Sequence, residues 1–261
     1  MNFSVLTYNT LFNKAYLHIK AIIHDHSPDI LCLQEVDISE KNLKIMKQYG
    51  YHLADYSGTF IKFGKAFGVA TFYNSKKFKF VNSFSLKIGS NLFELLYKIP
   101  QLIIGVNKPR TILRTDFISK VNNKKIIVCN SHLIVLASNS VRIRHINKAL
   151  SSLKISPKTS LVVTGDFNYL PYHRKRLDNI MKKYNLIEAT KNIRQTVDFS
   201  PKGKKEEFSF LQNFFIRRIN HFFGNQMKND YIYYRGIKLT KTERIEVRFS
   251  DHYPIISTFE I

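Results

Sequence analysis

Four short, largely apolar β-type runs constrain this chain most: Phe3-Ser4-Val5-Leu6, Ile30-Leu31-Cys32-Leu33, Ile126-Ile127-Val128-Cys129 and Leu161-Val162-Val163. Each stops at a polar motif. These motifs are Thr7-Tyr8-Asn9, Leu33-Gln34-Glu35-Val36, Asn130-Ser131-His132-Leu133 and Gly165-Asp166-Phe167-Asn168. Two more follow, Asp230-Tyr231-Ile232 and Ser250-Asp251-His252. Runs this apolar read as buried strands. Strand ends at a sheet rim are where a rigid scaffold holds functional groups. Asn, Asp, Glu and His recur there. They are oxygen ligands for a hard cation plus imidazoles for proton transfer, the set used in metal-assisted phosphoester hydrolysis.

Between the motifs, strand-like and helix-like stretches alternate. Strands are predicted at 2–8 and 29–35, flanking a helix at 13–26 in which Leu17, Ile19, Ile22 and Ile23 recur at partly helical spacing. A helix at 39–49 turns Leu43 and Met46 inward. Residues 67–73 and 78–84 read as a hairpin joined at Asn74-Ser75, and 110–121 with 124–133 as another across Asn122-Asn123. Helices at 139–154 and 174–184 and strands at 159–165, 230–235, 245–249 and 253–260 complete the pattern. Hairpins mixed with strand–helix alternation imply mixed sheets covered by helices. Two segments fall outside this grid. Residues 86–109 are apolar between Lys87 and Lys108, and 207–227 interleave phenylalanines such as Phe214 and Phe215 with Arg217, Arg218 and His221. Each fits a helix packed on the core, or a loop that grips nucleic acid or dips into lipid.

No linker, repeat or low-complexity tract divides the chain, and the motifs draw on both halves, so residues 1–261 read as one domain. The start shows no signal-peptide pattern, and no apolar run approaches the roughly eighteen residues that span a bilayer. Cys32 and Cys129 both lie in predicted core strands, which suits a reducing compartment rather than a disulfide framework. The expectation is a soluble, cytoplasmic monomer. With 41 basic and 19 acidic residues the formal charge is +22, which favours a polyanionic partner, either nucleic acid or an anionic lipid surface. A Lys-, Asn- and Ile-rich, Trp-free composition also reflects AT-rich coding, so charge alone does not separate the two.

In this order, from residue 3 to residue 259, the six motifs resemble those of the endonuclease/exonuclease/phosphatase (DNase I-like) superfamily. The resemblance implies a four-layer α/β sandwich, two packed mixed β-sheets flanked by helices. It also implies a phosphodiesterase dependent on Mg²⁺ or Mn²⁺. Glu35 matches the family's principal metal ligand, and a carboxylate ending a buried strand is costly unless paired or metal-bound. Asn9 and Asp251 join it as ligands by the same match. Asp230 would orient His252, which would deprotonate water or stabilise a phosphoryl oxygen. Asp166 would orient or activate the water, while Asn168, His132 and Arg110 would hold phosphate, with Arg114 close by on the same strand. The run Arg174-Lys175-Arg176, eight residues or fewer past Asn168, reads as a basic clamp for a long polyanion.

Departures narrow the reading. No carboxylate stands near residues 65–70 to pair with His132 as in DNase I-like enzymes. Thr10-Leu11-Phe12 replaces the Gly-Leu-Arg of abasic-site endonucleases, and their Trp is absent. The expected activity is a nuclease acting on DNA or RNA, with a phospholipid or inositol-phosphate hydrolase as the alternative.

Overall fold

The apolar runs form the inner strands of two mixed sheets. The computed structural model describes residues 1–88, 110–135, 137–198, 218 and 224–261. Its strands are β1 (Asn2–Asn9), β2 (Ile30–Asp37), β3 (Tyr51–Lys62), β4 (Lys65–Asn74), β5 (Phe78–Ile88), β6 (Arg110–Ser119), β7 (Lys125–His132), β8 (Ser160–Asp166), β9 (Ile187–Glu188), β10 (Asp230–Arg235), β11 (Lys238–Arg244) and β12 (Ile255–Glu260). One sheet runs β11-β12-β1-β2-β4-β3, the other β5-β6-β7-β8-β10-β9. The pairs β1–β2 and β7–β8 are parallel and sit at the two centres. Those strands are buried on both faces, which is why their sequences do not alternate.

Three apolar layers hold the sandwich. Between the sheets, Phe3, Val5, Ile30 and Cys32 meet Phe117, Ile126, Val128, Val162 and Ile232. Outside the first sheet, Leu6, Leu31, Leu33 and Phe72 pack under Tyr16, Ile19, Ile22 and Met46, from a 3₁₀ turn, α1 (Ile19–His26) and the segment after α2 (Glu40–Leu43). Outside the second, Ile127, Cys129, Leu161 and Val163 pack under α3 (Asn139–Ser152) and α4 (Arg174–Lys183). This is the expected four-layer α/β sandwich. Cys32 and Cys129 are free thiols in the core, and burial pushes Cys129 up to about 12. Among the described residues, no helix is long and apolar enough to cross a membrane.

Several local expectations differ. Strand β4 does not form a hairpin with β5. It lies between β2 and β3, with both edges taken, and the turn after Asn74 carries the chain into the other sheet. The final hairpin uses β11, at 238–244, in place of a strand at 245–249. The helix at 39–49 is a short α-helix that tightens into a 3₁₀ turn, which still buries Leu43 and Met46. The hairpin across Asn122-Asn123 forms as expected, as β6 and β7. Phe214, Phe215 and nearly all of the two off-grid segments lie outside the described residues.

Candidate active site

The first sheet supplies Asn9, at the end of β1, and Glu35, near the end of β2. Glu35 sits in a β-bulge, where the β2–β4 register shifts between Leu33 and Val36, and its φ of 55° is left-handed. A bulge re-aims a side chain at the sheet rim. Beside it, Leu11, Phe12 and Asn13 are three consecutive left-handed residues, with φ of 45°, 50° and 70°. Each costs about 1–2 kcal/mol for a residue with a Cβ. The turn directs three N–H groups at the site: Leu11 N donates to Asn9 Oδ1 (3.1 Å), Phe12 N to Glu35 Oε2 (3.3 Å) and Asn13 N to Glu35 O (2.9 Å).

The second sheet brings His132 at the end of β7 and Asp166 at the end of β8. Gly165 permits this closeness, because a Cβ on it would stand 2.0 Å from Ser131 O and its φ is +131°. Asn168, also left-handed, donates from its backbone to Asp166 Oδ1 (2.8 Å) and from Nδ2 to Leu133 O (3.0 Å). Asn9 Nδ2 crosses between the sheets to Asp166 Oδ2 at 2.9 Å. His132 Nε2 lies 3.7 Å from Glu35 Oε1 and 3.6 Å from Asp166 Oδ2. His132 therefore finds its acidic neighbours at these two residues, not on β4.

Asp230 opens β10 next to Asp166, and His252 lies in the loop before β12. His252 Nδ1 donates to Asp230 Oδ2 at 2.8 Å, leaving Nε2 3.8 Å from Asp166 Oδ2. Thr196 fixes the pair: its hydroxyl donates to Asp230 Oδ2 (2.7 Å) and accepts the Asn229 and Asp230 N–H groups. Asp251 is buried beside them and accepts from Ser250 Oγ at 3.1 Å. Burial alone would pull the His252 imidazole down, but Asp230, Asp166 and Asp251 hold it up to about 10. Burial likewise raises Asp166, partly offset by His252.

Glu35, Asp166, Asp230 and Asp251 are all buried here, against two imidazoles. That excess of buried negative charge, with an amide oxygen nearby, fits a hard divalent cation. Asp166, Asp230 and His252 also present ligand atoms within 4.8 Å of one another. Asp230 Oδ2 is already bonded to His252 and Thr196, an arrangement that suits orientation of the imidazole better than ligation.

The remaining expected residues are spread around this rim. Arg110 opens β6, one residue before the Thr111 that faces His132; its side chain is outside the described residues. Arg114 is taken up by Asp116 (2.7 Å) and Leu153 O (3.0 Å), so it is structural. Arg174 donates to Gln226 O and Arg176 to Ser140 Oγ, while Lys175 is exposed at the start of α4.

Three contributions escaped the sequence reading. Thr196 belongs to no apolar run and carries no spacing signal. Gln34 and Asn130, inside the quoted motifs, bond across the sheets at 2.8 Å and serve as a buried amide bridge. Arg142, 1% exposed on α3, donates to Ile134 O (3.1 Å), Val135 O and Asn139 Oδ1 (3.1 Å). Asn139 in turn donates to Leu170 O and Tyr172 O and accepts Leu170 N. This clip joins the loop after His132 to the loop after Asn168. Burial pulls the Arg142 pKa down to about 10, so the guanidinium stays charged.

The sequence model of the Endonuclease/Exonuclease/phosphatase family matches residues 6–252. None of the curated proteins matches the chain. Among solved structures, the human Nocturnin catalytic domain with bound sulfate superimposes with a TM-score of 0.70 at 18% identity, covering 99% of this chain and 94% of that one. TDP2 from D. rerio, complexed with a single-strand DNA product, gives 0.68 at 14% identity, covering 100% and 99%. A mannosyl-6-phosphatase from Bacteroides thetaiotaomicron gives 0.66 at 18% identity, covering 99% and 100%. At these identities the likeness is one of fold.

Proposed function

The chain belongs to the endonuclease/exonuclease/phosphatase family, and on that premise we propose that it is a divalent-metal-dependent phosphodiesterase that hydrolyses DNA or RNA. The observation that carries the reading is the buried convergence of Glu35, His132, Asp166 and the Asp230–His252 pair at one rim of the sandwich. Glu35, with Asn9 and Asp251, is the set that would hold Mg²⁺ or Mn²⁺, and the bound ion would neutralise charge developing on the phosphate. Asp230 fixes the tautomer of His252, whose Nε2 is then the atom that moves or holds a proton. Asp166 orients the attacking water. Asn168, His132 and Arg110 hold phosphate oxygens.

The charge of +22 and the basic start of α4 favour a polyanion as substrate. The phosphatase among the fold-mates keeps a phospholipid or inositol-phosphate hydrolase as the alternative. One panel decides between them: purified protein with Mg²⁺ or Mn²⁺, with and without EDTA, against plasmid, single-stranded DNA, RNA, sphingomyelin and inositol polyphosphates. Cleavage of nucleic acid that stops in EDTA is the expected result. Turnover confined to a lipid or inositol phosphate would move the assignment to the alternative.

A further inference from the structure

The β3–β4 hairpin ends in an unusual turn. Its last pair is Lys62 with Lys65, so Phe63 and Gly64 are the two loop residues, with φ of 53° and 70°. Positive φ at both positions is the type I′ signature, which favours Asn-Gly. A phenylalanine at the first of these positions is strained, because a bulky side chain rarely adopts left-handed backbone. It is also 64% exposed, and Ile61 beside it is 80% exposed. A residue whose position costs both strain and apolar exposure points to use rather than folding.

The register places this tip beyond the end of β2 that carries Glu35. Val36 pairs with Gly68 and Asp37 with Phe67, while the hairpin continues to Lys65. Three residues past Gly68, at about 3.3 Å each, carry the tip roughly 10 Å beyond Glu35. The tip is also tied to the site. Phe63 meets Phe12 edge-on at 6.0 Å, and Phe12 N donates to Glu35 Oε2. The Lys62 ammonium lies 3.9 Å from the centroid of the Phe12 ring and 4.8 Å from that of Phe63. This aromatic, cationic tip therefore stands at the same rim as Glu35 and projects past it.

We propose that Phe63, with Lys62, is a stacking platform for an unpaired base of a nucleic-acid strand, roughly two or three nucleotides from the scissile phosphate. The inference rests on the nuclease reading above and specifies its substrate as single-stranded or frayed. The spacing follows from the 10 Å overhang and about 3.4 Å per nucleotide in a stacked strand. Aromatic stacking accepts any base, and a lysine beside the ring adds attraction to the backbone. Membrane insertion is the weaker account of the same tip. The side chains of Ile61 and Phe63 together carry fewer carbons than a myristoyl chain, which alone gives only marginal membrane binding.

The test uses Phe63→Asn, Phe63→Ala and Phe63→Tyr in the full chain. Phe63→Asn restores the favoured turn dipeptide, so it should unfold at equal or higher temperature than wild type while losing the platform. With single-stranded oligonucleotides, Phe63→Asn and Phe63→Ala should raise KM roughly tenfold to a hundredfold at little cost in kcat, and Phe63→Tyr should restore it. In wild type, KM should rise as the strand on one side of the cleaved bond is trimmed below about three nucleotides. In Phe63→Ala that dependence should vanish. Hydrolysis of bis(p-nitrophenyl) phosphate, which has no base, should be the same in all four proteins. If wild type cuts no nucleic acid with any divalent metal, the nuclease reading falls and takes this proposal with it. Variants that cut long single strands with wild-type KM overturn the stacking proposal alone. So do variants whose only loss is binding to vesicles of equal parts phosphatidylcholine and phosphatidylserine, which would assign the tip to a lipid surface.

Discussion

Replacing Arg142 by methionine removes the clip that joins two loops of the candidate site. In the folded protein its guanidinium serves Ile134 O, Val135 O and Asn139 Oδ1. Asn139 Oδ1 keeps Leu170 N as a donor, so one buried and one part-buried carbonyl lose their donor. Each bare group costs about 1–3 kcal/mol. Taking a buried cation out of the fold returns part of that, since among the described residues no carboxylate bonds it. The net expectation is a loss of about 3 kcal/mol, read as a lower midpoint in urea unfolding with an unchanged slope. Activity should fall as well. The clip holds the loops that carry Leu133 and Leu170, and misplacing reacting groups by about 1 Å costs up to roughly a hundredfold. Measured where the variant is still fully folded, kcat should drop at least about tenfold, and Arg142→Lys, which keeps the charge and fewer donors, should fall between. A variant as stable as wild type would refute the hydrogen-bond accounting. A destabilised variant with wild-type kcat would show that the clip supports the fold without positioning the site.

Other outcomes follow from the same geometry. Glu35→Ala should abolish turnover with little change in the unfolding midpoint, and full activity in excess EDTA would remove the metal from the mechanism. His252→Ala and Asp230→Asn should each lower kcat at least about a hundredfold, and the double variant less than the product of the two, because the pair acts as a unit; a near-wild-type Asp230→Asn would mean that Thr196 or another group orients the imidazole. Burial alone would raise the Asp116 carboxyl, but Arg114 and Lys125 hold it below the usual carboxylate range. Its contribution is therefore complete above the unfolded pKa of about 3.9 and is lost as pH falls through the lower folded value; Arg114→Met should flatten that acid limb in urea titrations from neutral pH downward. Neutralising Arg174, Lys175 and Arg176 together should weaken nucleic-acid binding and reduce its salt slope by roughly one unit per lost phosphate contact, with kcat little changed. A slope equal to wild type would show that the start of α4 is not a clamp.

The candidate rim was legible because its polar residues interrupt strong patterns. Glu35, His132 and Asp166 each end an apolar run, so a polar side chain there stood out against the β-strand it closed. The central parallel pairs were legible for the same reason, being buried on both faces. What lay at the sheet edges was not. Strand β3 is half-exposed along most of its length and has no clean alternation, so no strand is read there from sequence and β4 is assigned to the next strand-like run, β5, instead. The turn at Asn74-Ser75 is real, but turn chemistry does not say whether the next strand stays in the sheet or crosses to the other. Thr196 and Arg142 each act through three hydrogen bonds made in three dimensions, and neither carries a periodic or spacing signal. Gln34 and Asn130 were visible only as neighbours of candidate site residues, while their bond across the sheets is set by how the two sheets pack.

The division of the rim between the two sheets has a consequence for the life of the chain. Asn9 bonds Asp166 across 157 positions of sequence, and His252 must seat beside Asp230 before their hydrogen-bonded pair exists. No run of the polypeptide shorter than the span from Asn9 to His252 holds the whole set. A nascent chain still emerging from the ribosome therefore has its scaffold strands early and its chemistry last. On the nuclease reading proposed above, hydrolytic power would arrive only as the last segment docks, and a half-made copy would be inert toward nucleic acid. The same arrangement makes activity a reporter of complete folding: two fragments divided between β7 and β8 should each be silent and regain turnover only when they reassociate.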